Sequence, residues 1–372
     1  MSGKAGVFEA TRGLCRTAGR VHFAVRRMPA AGPRDLPEPC AALLEARLTL
    51  RAMGTVVTLV GRRPLWSGRA PGGLARAPDP GAAVRARRVL MREARWWVEA
   101  ERRLSRFNPQ SELCQLNRQA GRWCVVSPLL FQTLQAAAWA YRQTRGRFDP
   151  AVLDALERWG YDRDYALLAR PCDSGNSLAP DPGPAREVAC RASSRQPPFE
   201  LDPVILAVRL RSGVRLDLGG IAKGVAADLS ASRLQDAFEA VLVDAGGDIA
   251  AVAAPGMPPW RIALAVRGPG VPRAVWVRRG GVATSSTARR WNGPLGPAHH
   301  LIDPSTLCPA NRGVRAVTAV ASSAAGAEVL AKALAIAGPE GASELVASWP
   351  AKAAAFVQLD DGRVEVYRCR SG

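Results

Sequence analysis

A chain of 372 residues can bury one large core or two modest ones, and its 48% hydrophobic content is that of a globular protein. Its 51 Lys and Arg against 32 Asp and Glu give a net charge of +19, but the bases are scattered arginines without a nucleic-acid motif, so no specific nucleic-acid partner is expected. No apolar run of about 18 residues exists, so no transmembrane segment is expected either. Eight cysteines without a C-x-x-C pair, and only three histidines, argue against structural zinc and for reduced thiols. The start, MSGKAGVFEATRGLCRTAGRVHF, lacks the apolar centre of a signal peptide, which predicts a cytoplasmic protein.

In chain order, residues 1–45 mix Gly, Pro and Arg without apolar periodicity and read as a disordered extension or an over-extended start of the reading frame. Residues 46–370 read as one domain. Residues 47–60 alternate as a strand does, and 64–81 form a Pro/Gly/Arg loop, part of a flexible insertion near 62–81. Residues 82–104 predict a helix with Trp96, Trp97 and Leu104 on one face. A Ser-Pro start opens a second helix over 127–144, and 151–159 continues as a short one. A Pro/Ser/Gly/Arg-rich stretch near 169–200 reads as a second flexible insertion. Strands follow at 208–218, 240–244, 249–253, 262–266, 275–278, 282–285 and 314–321, with helices at 221–237 and 325–337. The Asp361-Gly362 turn splits a last hairpin, 353–359 and 363–368. Short sequential strands with helices laid against them give an α+β class.

The most informative stretch is LDLGGIAKGVAADLSASRL, residues 216–234. Asp217 precedes a Gly219-Gly220 turn, and Lys223 then opens an alanine-rich helix. Amides at such a turn, the helix dipole and a lysine together suit phosphate. An ordinary strand–turn–helix joint, with glycines for tight geometry, reads equally well from these residues alone. Neither a G-x-x-x-x-G-K-[ST] nor a G-x-G-x-x-G pattern is present. Lysine is rare here, at positions 4, 223, 332 and 352 only, which marks Lys223 and Lys332.

The neighbours of this stretch form an ordered series. RAMGT (51–55), RRLSRFNPQSELCQLN (102–117) and GRFDPAVLDALERWGY (146–161) precede LDLGGIAKG. VDAGGDIA (243–250), VATSS (282–286), HLIDP (300–304) and AGAEVLAKALAIAG (325–338) follow it. The series resembles the FAD:protein FMN transferases, the ApbE-type family, over roughly residues 48–338. The resemblance implies a single T-fold-like unit that moves FMN from FAD, as substrate, onto a Ser or Thr hydroxyl of an acceptor flavoprotein, releasing AMP. It implies that Met53 packs on the flavin and Phe107 stacks on a ring of FAD. It implies that Arg147, Phe148 and Asp149 line the FAD site, that Asp217 and Lys223 contact FAD, and that the Ile302 backbone touches it. His300 matches the family's histidine before I-D-P and suits a general base near neutral pH. Asp303 either orients the site or caps the turn before Pro304.

The resemblance also implies Mg²⁺, at positions occupied here by Gly220 (carbonyl), Glu328 and Lys332. Here the chain departs from the family. Glu328 stands where members have Asp, and Lys332 where they have Thr, which a protonated lysine cannot replace as a ligand. Either Mg²⁺ keeps a water at that position or the ammonium takes over part of its role. Ser286-Thr287 and Leu307-Cys308 are further departures. Two readings stay beside transfer: an FAD pyrophosphatase, using the same phosphate site with water as acceptor, and a non-catalytic FAD-binding protein.

Overall fold

The computed structural model describes residues 21–28, 43–64, 81–168, 196–268 and 270–369. A nine-stranded sheet forms its frame. The strands are β1 (His22–Met28), β2 (Leu43–Ala52), β3 (Thr55–Pro64), β4 (Ala240–Ala245) and β5 (Asp248–Ala253), then β6 (Arg279–Ser286), β7 (Val314–Ala321), β8 (Ala354–Leu359) and β9 (Val364–Arg368). Each pairs antiparallel with its successor, so the sheet runs in chain order. The other described helices and strands are inserted into its connections.

Alternation along the strands sets the two faces. Leu44, Ala46, Leu48 and Leu50 of β2, with Val241 and Val243 of β4, turn to one side. There they meet α1 (Ala82–Leu104) and α5 (Ala222–Leu234). Leu43, Val60 and Ala240 turn to the other side, which is closed by the hairpin of Trp260–Ala263 and Ala274–Val277. Helix α6 (Ala324–Ala347) lies on β6 and β7 and against α5. Its start is well capped. Ser323 Oγ accepts from the Gly326 amide at 3.0 Å, and the Asp228 carboxylate accepts from Ala324 and Ala325 at 2.8 and 2.9 Å. The class is α+β, as expected.

Several elements differ from the sequence reading. Residues 47–60 are two strands, β2 and β3, because Met53 and Gly54 reverse the chain with φ of 53° and 70°. Met53 carries no turn signature, so the alternation ran on across it. Residues 22–28, read as disordered, form edge strand β1 on β2. The strand expected over 208–218 covers only Ala207–Leu210. Helix α2 (Glu112–Arg118) was not anticipated; Ser111 caps it. Helix α3 (Pro128–Gln143) and the short α4 (Leu153–Arg158) follow expectation, and α6 passes a break at Gly338, φ 72°, before continuing. Most of the two insertions, residues 65–80 and 169–195, lies outside the described residues.

Candidate active site

Between the helix layer and the strand ends lies a cavity of about 540 Å³, in the range of small-molecule sites. Three chain reversals line it: the β2–β3 turn at Met53 and Gly54, the turn at Asp217–Gly219, and the β4–β5 turn at Gly246 and Gly247. Glu101 of α1 holds the first of these, its carboxylate accepting from the Met53 and Gly54 amides while burial pushes its pKa up.

Strand-like alternation aims the second. Leu216 and Leu218 are fully buried, so Asp217 between them faces the cavity. Asn117 of α2 pins the segment, donating to the Leu216 carbonyl and accepting from its amide, both at 2.9 Å. Asp217 Oδ1 accepts from the Gly219 amide at 3.0 Å and lies 3.4 Å from Arg106 Nε. The turn's amides are largely committed. Ile221 and Ala222 donate to the Leu218 carbonyl, and Gly224 donates to Glu328 Oε2 at 2.9 Å. The open amide cradle read from the sequence is therefore not what this turn offers; positive charge comes from side chains.

Lys223 is the hub. Its Nζ donates to the Gly219 carbonyl at 2.9 Å and to Glu328 Oε1 at 2.6 Å, and lies 3.0 Å from Asp248 Oδ2. One ammonium thus ties α5, α6 and β5 together. Burial disfavours its charge, but Asp248 and Glu328 outweigh burial and hold Lys223 above the ordinary lysine range. Burial and the neighbouring Glu328 push Asp248 up from the usual carboxylate range. Lys332 stands one turn beyond Glu328 on α6 and lines the same cavity, its ammonium against Gly220, where a Cβ would collide with it. It makes no hydrogen bond or ion pair with any described residue. Burial pulls its pKa down, with Glu328 opposing and Lys223 adding to the effect.

One wall is aromatic. Phe107 is 37% exposed and meets Tyr161 edge-on at 5.7 Å; Tyr161 in turn lies 5.2 Å from Trp291. The Arg106 guanidinium covers both rings, at 4.1 Å from Phe107 and 4.5 Å from Tyr161.

The two histidines are separated by their surroundings. His299 is 1% exposed, its Nε2 lying 3.0 Å from the Ala310 carbonyl and its Nδ1 accepting from the Leu301 amide at 3.3 Å. That pairing places its proton on Nε2 and commits both nitrogens. His300 lines the cavity instead. Burial first, then the Lys332, His299 and Lys223 charges, hold its pKa well below the ordinary histidine range, so the ring is neutral at pH 7.

The structure thus gathers Met53, Phe107, Asp217, Lys223, His300, Glu328 and Lys332 around one cavity. It sets others apart. Phe148 is 3% exposed in the core with α3, and Arg147 lies beside Gly341 of α6. Asp149 caps the turn at Ala151, its Oδ1 accepting that amide at 2.8 Å. Ile302 is buried in a two-residue strand opposite Pro309. Asp303 takes the turn-capping role, accepting from the Ser305 amide at 2.9 Å and hydroxyl at 2.6 Å, and pairing with Arg312 at 3.3 Å. None of these five lines the cavity. Sequence reasoning passed over Glu101, Arg106, Tyr161 and Asp248, which do line it. Arg106, Tyr161 and Asp248 stood inside quoted motifs; Asp248 is marked by its charge within the apolar run AGGDIAAVAA, whereas Arg106 and Tyr161 stand among other polar residues and carry no such signal.

Gly220, Glu328 and Lys332 were expected to hold Mg²⁺, which needs several oxygens in near-octahedral array. The residues do not fit it. Both Glu328 oxygens are engaged, one by Lys223 and one by the Gly224 amide, and Lys332 brings a cation where a ligand oxygen would be needed. No group of three His, Cys, Asp or Glu residues suited to a metal occurs among the described residues.

Fold and cavity define an α+β protein whose site suits a ligand with an aromatic part and an anionic part. A profile of the ApbE family matches residues 53–357, and the chain belongs to that family. It is similar to the FAD:protein FMN transferase of Treponema pallidum (strain Nichols), 32% identical over 276 residues that make up 69% of this chain and 73% of the relative. It is 32% identical over 258 residues to the FAD:protein FMN transferase of Rhodobacter capsulatus, a match spanning 66% of this chain and 45% of that relative. The crystal structure of the ApbE protein of Thermotoga maritima superposes with a TM-score of 0.67 at 26% identity, covering 86% of this chain and 96% of that one.

Proposed function

We propose that the protein is an FAD:protein FMN transferase, moving FMN from FAD onto a Ser or Thr hydroxyl of an acceptor flavoprotein. The observation that carries this reading is the meeting, in one cavity, of the Phe107–Tyr161 wall, the Lys332 ammonium and a neutral imidazole at His300. Phe107 and Met53 would pack on the rings of FAD, and Asp217 and Arg106 would border it. The acceptor hydroxyl oxygen attacks the phosphorus of the FMN half. The bond from that phosphorus to the bridging oxygen breaks, and AMP leaves with that oxygen. His300 takes the hydroxyl proton. A neutral ring can accept it, and the negative charge of bound diphosphate raises the ring's proton affinity when it is needed. Arg147, Phe148, Asp149, Ile302 and Asp303 support the site from behind in this reading.

A cytoplasmic location is part of the proposal. The thiols of Cys114 and Cys124, which form no disulfide, are in keeping with a reducing compartment. The direct test is FAD titration followed by flavin fluorescence. Saturable quenching is expected at micromolar to sub-millimolar FAD; its absence would remove the basis for the proposal.

A further inference from the structure

We propose that the Lys332 ammonium takes the place of a divalent cation in this cavity and holds the diphosphate of FAD directly, so that FAD binding needs no divalent metal. This deepens the FAD reading above and rests on it. Four observations carry it. First, Lys332 has no hydrogen-bond or ion-pair partner among the described residues, although it lines the cavity beside Lys223, Asp217 and His300. Second, its place is built. A Cβ on Gly220 would collide with the ammonium and stand 3.1 Å from Lys332 Cε and 3.3 Å from Cδ, so the missing side chain is what admits this lysine. Third, the turn that ought to present amides to a phosphate has spent those of Gly219, Ile221, Ala222 and Gly224 within the protein. An anion here must be met by side chains. Fourth, the carboxylate that would anchor a metal is neutralised. Glu328 is 2.6 Å from Lys223 Nζ and takes the Gly224 amide as well. A divalent ion seated on Glu328 would have to displace Lys223 and face two ammonium groups, whereas a diphosphate would meet attraction from both.

The division of labour follows. Lys223 is committed to Asp248 and Glu328 and fixes the geometry. Lys332 keeps its donors for the ligand and acts as a compact point charge on phosphate oxygens.

The test is a fluorescence titration of FAD against the full chain, once in excess EDTA and once in excess Mg²⁺. The wild-type dissociation constant should be the same in both. Lys332→Met, which keeps the stem and removes the charge, should weaken FAD by about 10–100-fold in both, as expected for loss of a charge-assisted bond to phosphate. Lys332→Thr should be equally weak in both, since Lys223 and the Gly224 amide still engage Glu328. A wild-type affinity that falls about tenfold or more in EDTA overturns the inference, and this arm needs no variant to fold. A Lys332→Met protein that binds FAD as the wild type does overturns it as well. Metal-dependent FAD binding would leave the FAD reading standing, whereas no FAD binding in either condition would remove both.

Discussion

His299 and His300 are adjacent in the chain and differ in what their rings are free to do. His299 spends both nitrogens on the Ala310 carbonyl and the Leu301 amide, whereas His300 faces the cavity. Replacing His300 by Ala should therefore cut FMN transfer by about 10²–10⁴-fold and leave the FAD dissociation constant within a few-fold. Rate and titration measured on the same preparation separate these effects; an active His300→Ala protein would take the base away from this residue. Phe107 lines the cavity and is 37% exposed. Phe107→Ala should weaken FAD by about tenfold through lost aromatic contact, and unchanged affinity would show that the ring is not part of the site. At this scale the sequence was read best where a residue is chemically unusual for the chain. A rare lysine, a histidine before I-D-P and an aspartate between leucines all reached the cavity. Phe148 and Ile302 did not, because a motif says which residues are neighbours in sequence but not which way each side chain turns. Arg106 and Glu101 stayed hidden among many similar charges on α1 and just beyond it.

Helices α5 and α6 touch through small residues, and the site depends on that closeness. At Gly224 a Cβ would stand 2.6 Å from Ala325 Cα and 2.7 Å from its amide nitrogen, both backbone atoms that cannot step aside. Gly224→Ala should destabilise the fold by about 1–3 kcal/mol through overpacking, read as a lower denaturant midpoint. Gly220→Ala meets only the flexible end of Lys332, so it should leave that midpoint near wild type and weaken FAD binding instead. Equal effects of the two substitutions would contradict this separation of packing from site. Helix α1 was legible from its apolar stripe and was read to its ends, although no side chain caps its start. Strand β1 was not legible: HFAVRRM gains its order from pairing with β2, a tertiary contact that no local pattern announces. The β2–β3 reversal was missed for the complementary reason, since Met53 adopts a left-handed conformation that its residue type does not favour.

Over the whole molecule, acid stability should carry the signature of His299. Burial pushes its pKa down to about 4, from 6.5 in an unfolded chain. Between those values the unfolded state binds more protons than the folded one. Its contribution is thus complete above about pH 6.5 and lost as pH falls towards 4, about 3 kcal/mol in all. Asp228, pushed up to about 6 by burial, acts in the opposite sense, its contribution lost as pH rises through 6. Thermal unfolding of wild type and His299→Gln from pH 7 to 4.5 isolates the histidine. The wild type should lose more stability on acidification than the variant, and parallel curves would show that His299 is not the titrating group. The net charge of +19 does not change the picture, since arginines already pair with carboxylates across the surface, as Arg215 does with Asp154 and Glu157. The central claim is transfer of FMN, and intact-mass spectrometry of a candidate acceptor flavoprotein tests it most directly. After incubation with this protein and FAD, the acceptor should gain the mass of FMN less water, located on a Ser or Thr, with AMP released alongside. AMP and free FMN appearing while the acceptor's mass stays unchanged would contradict it and make the protein an FAD pyrophosphatase.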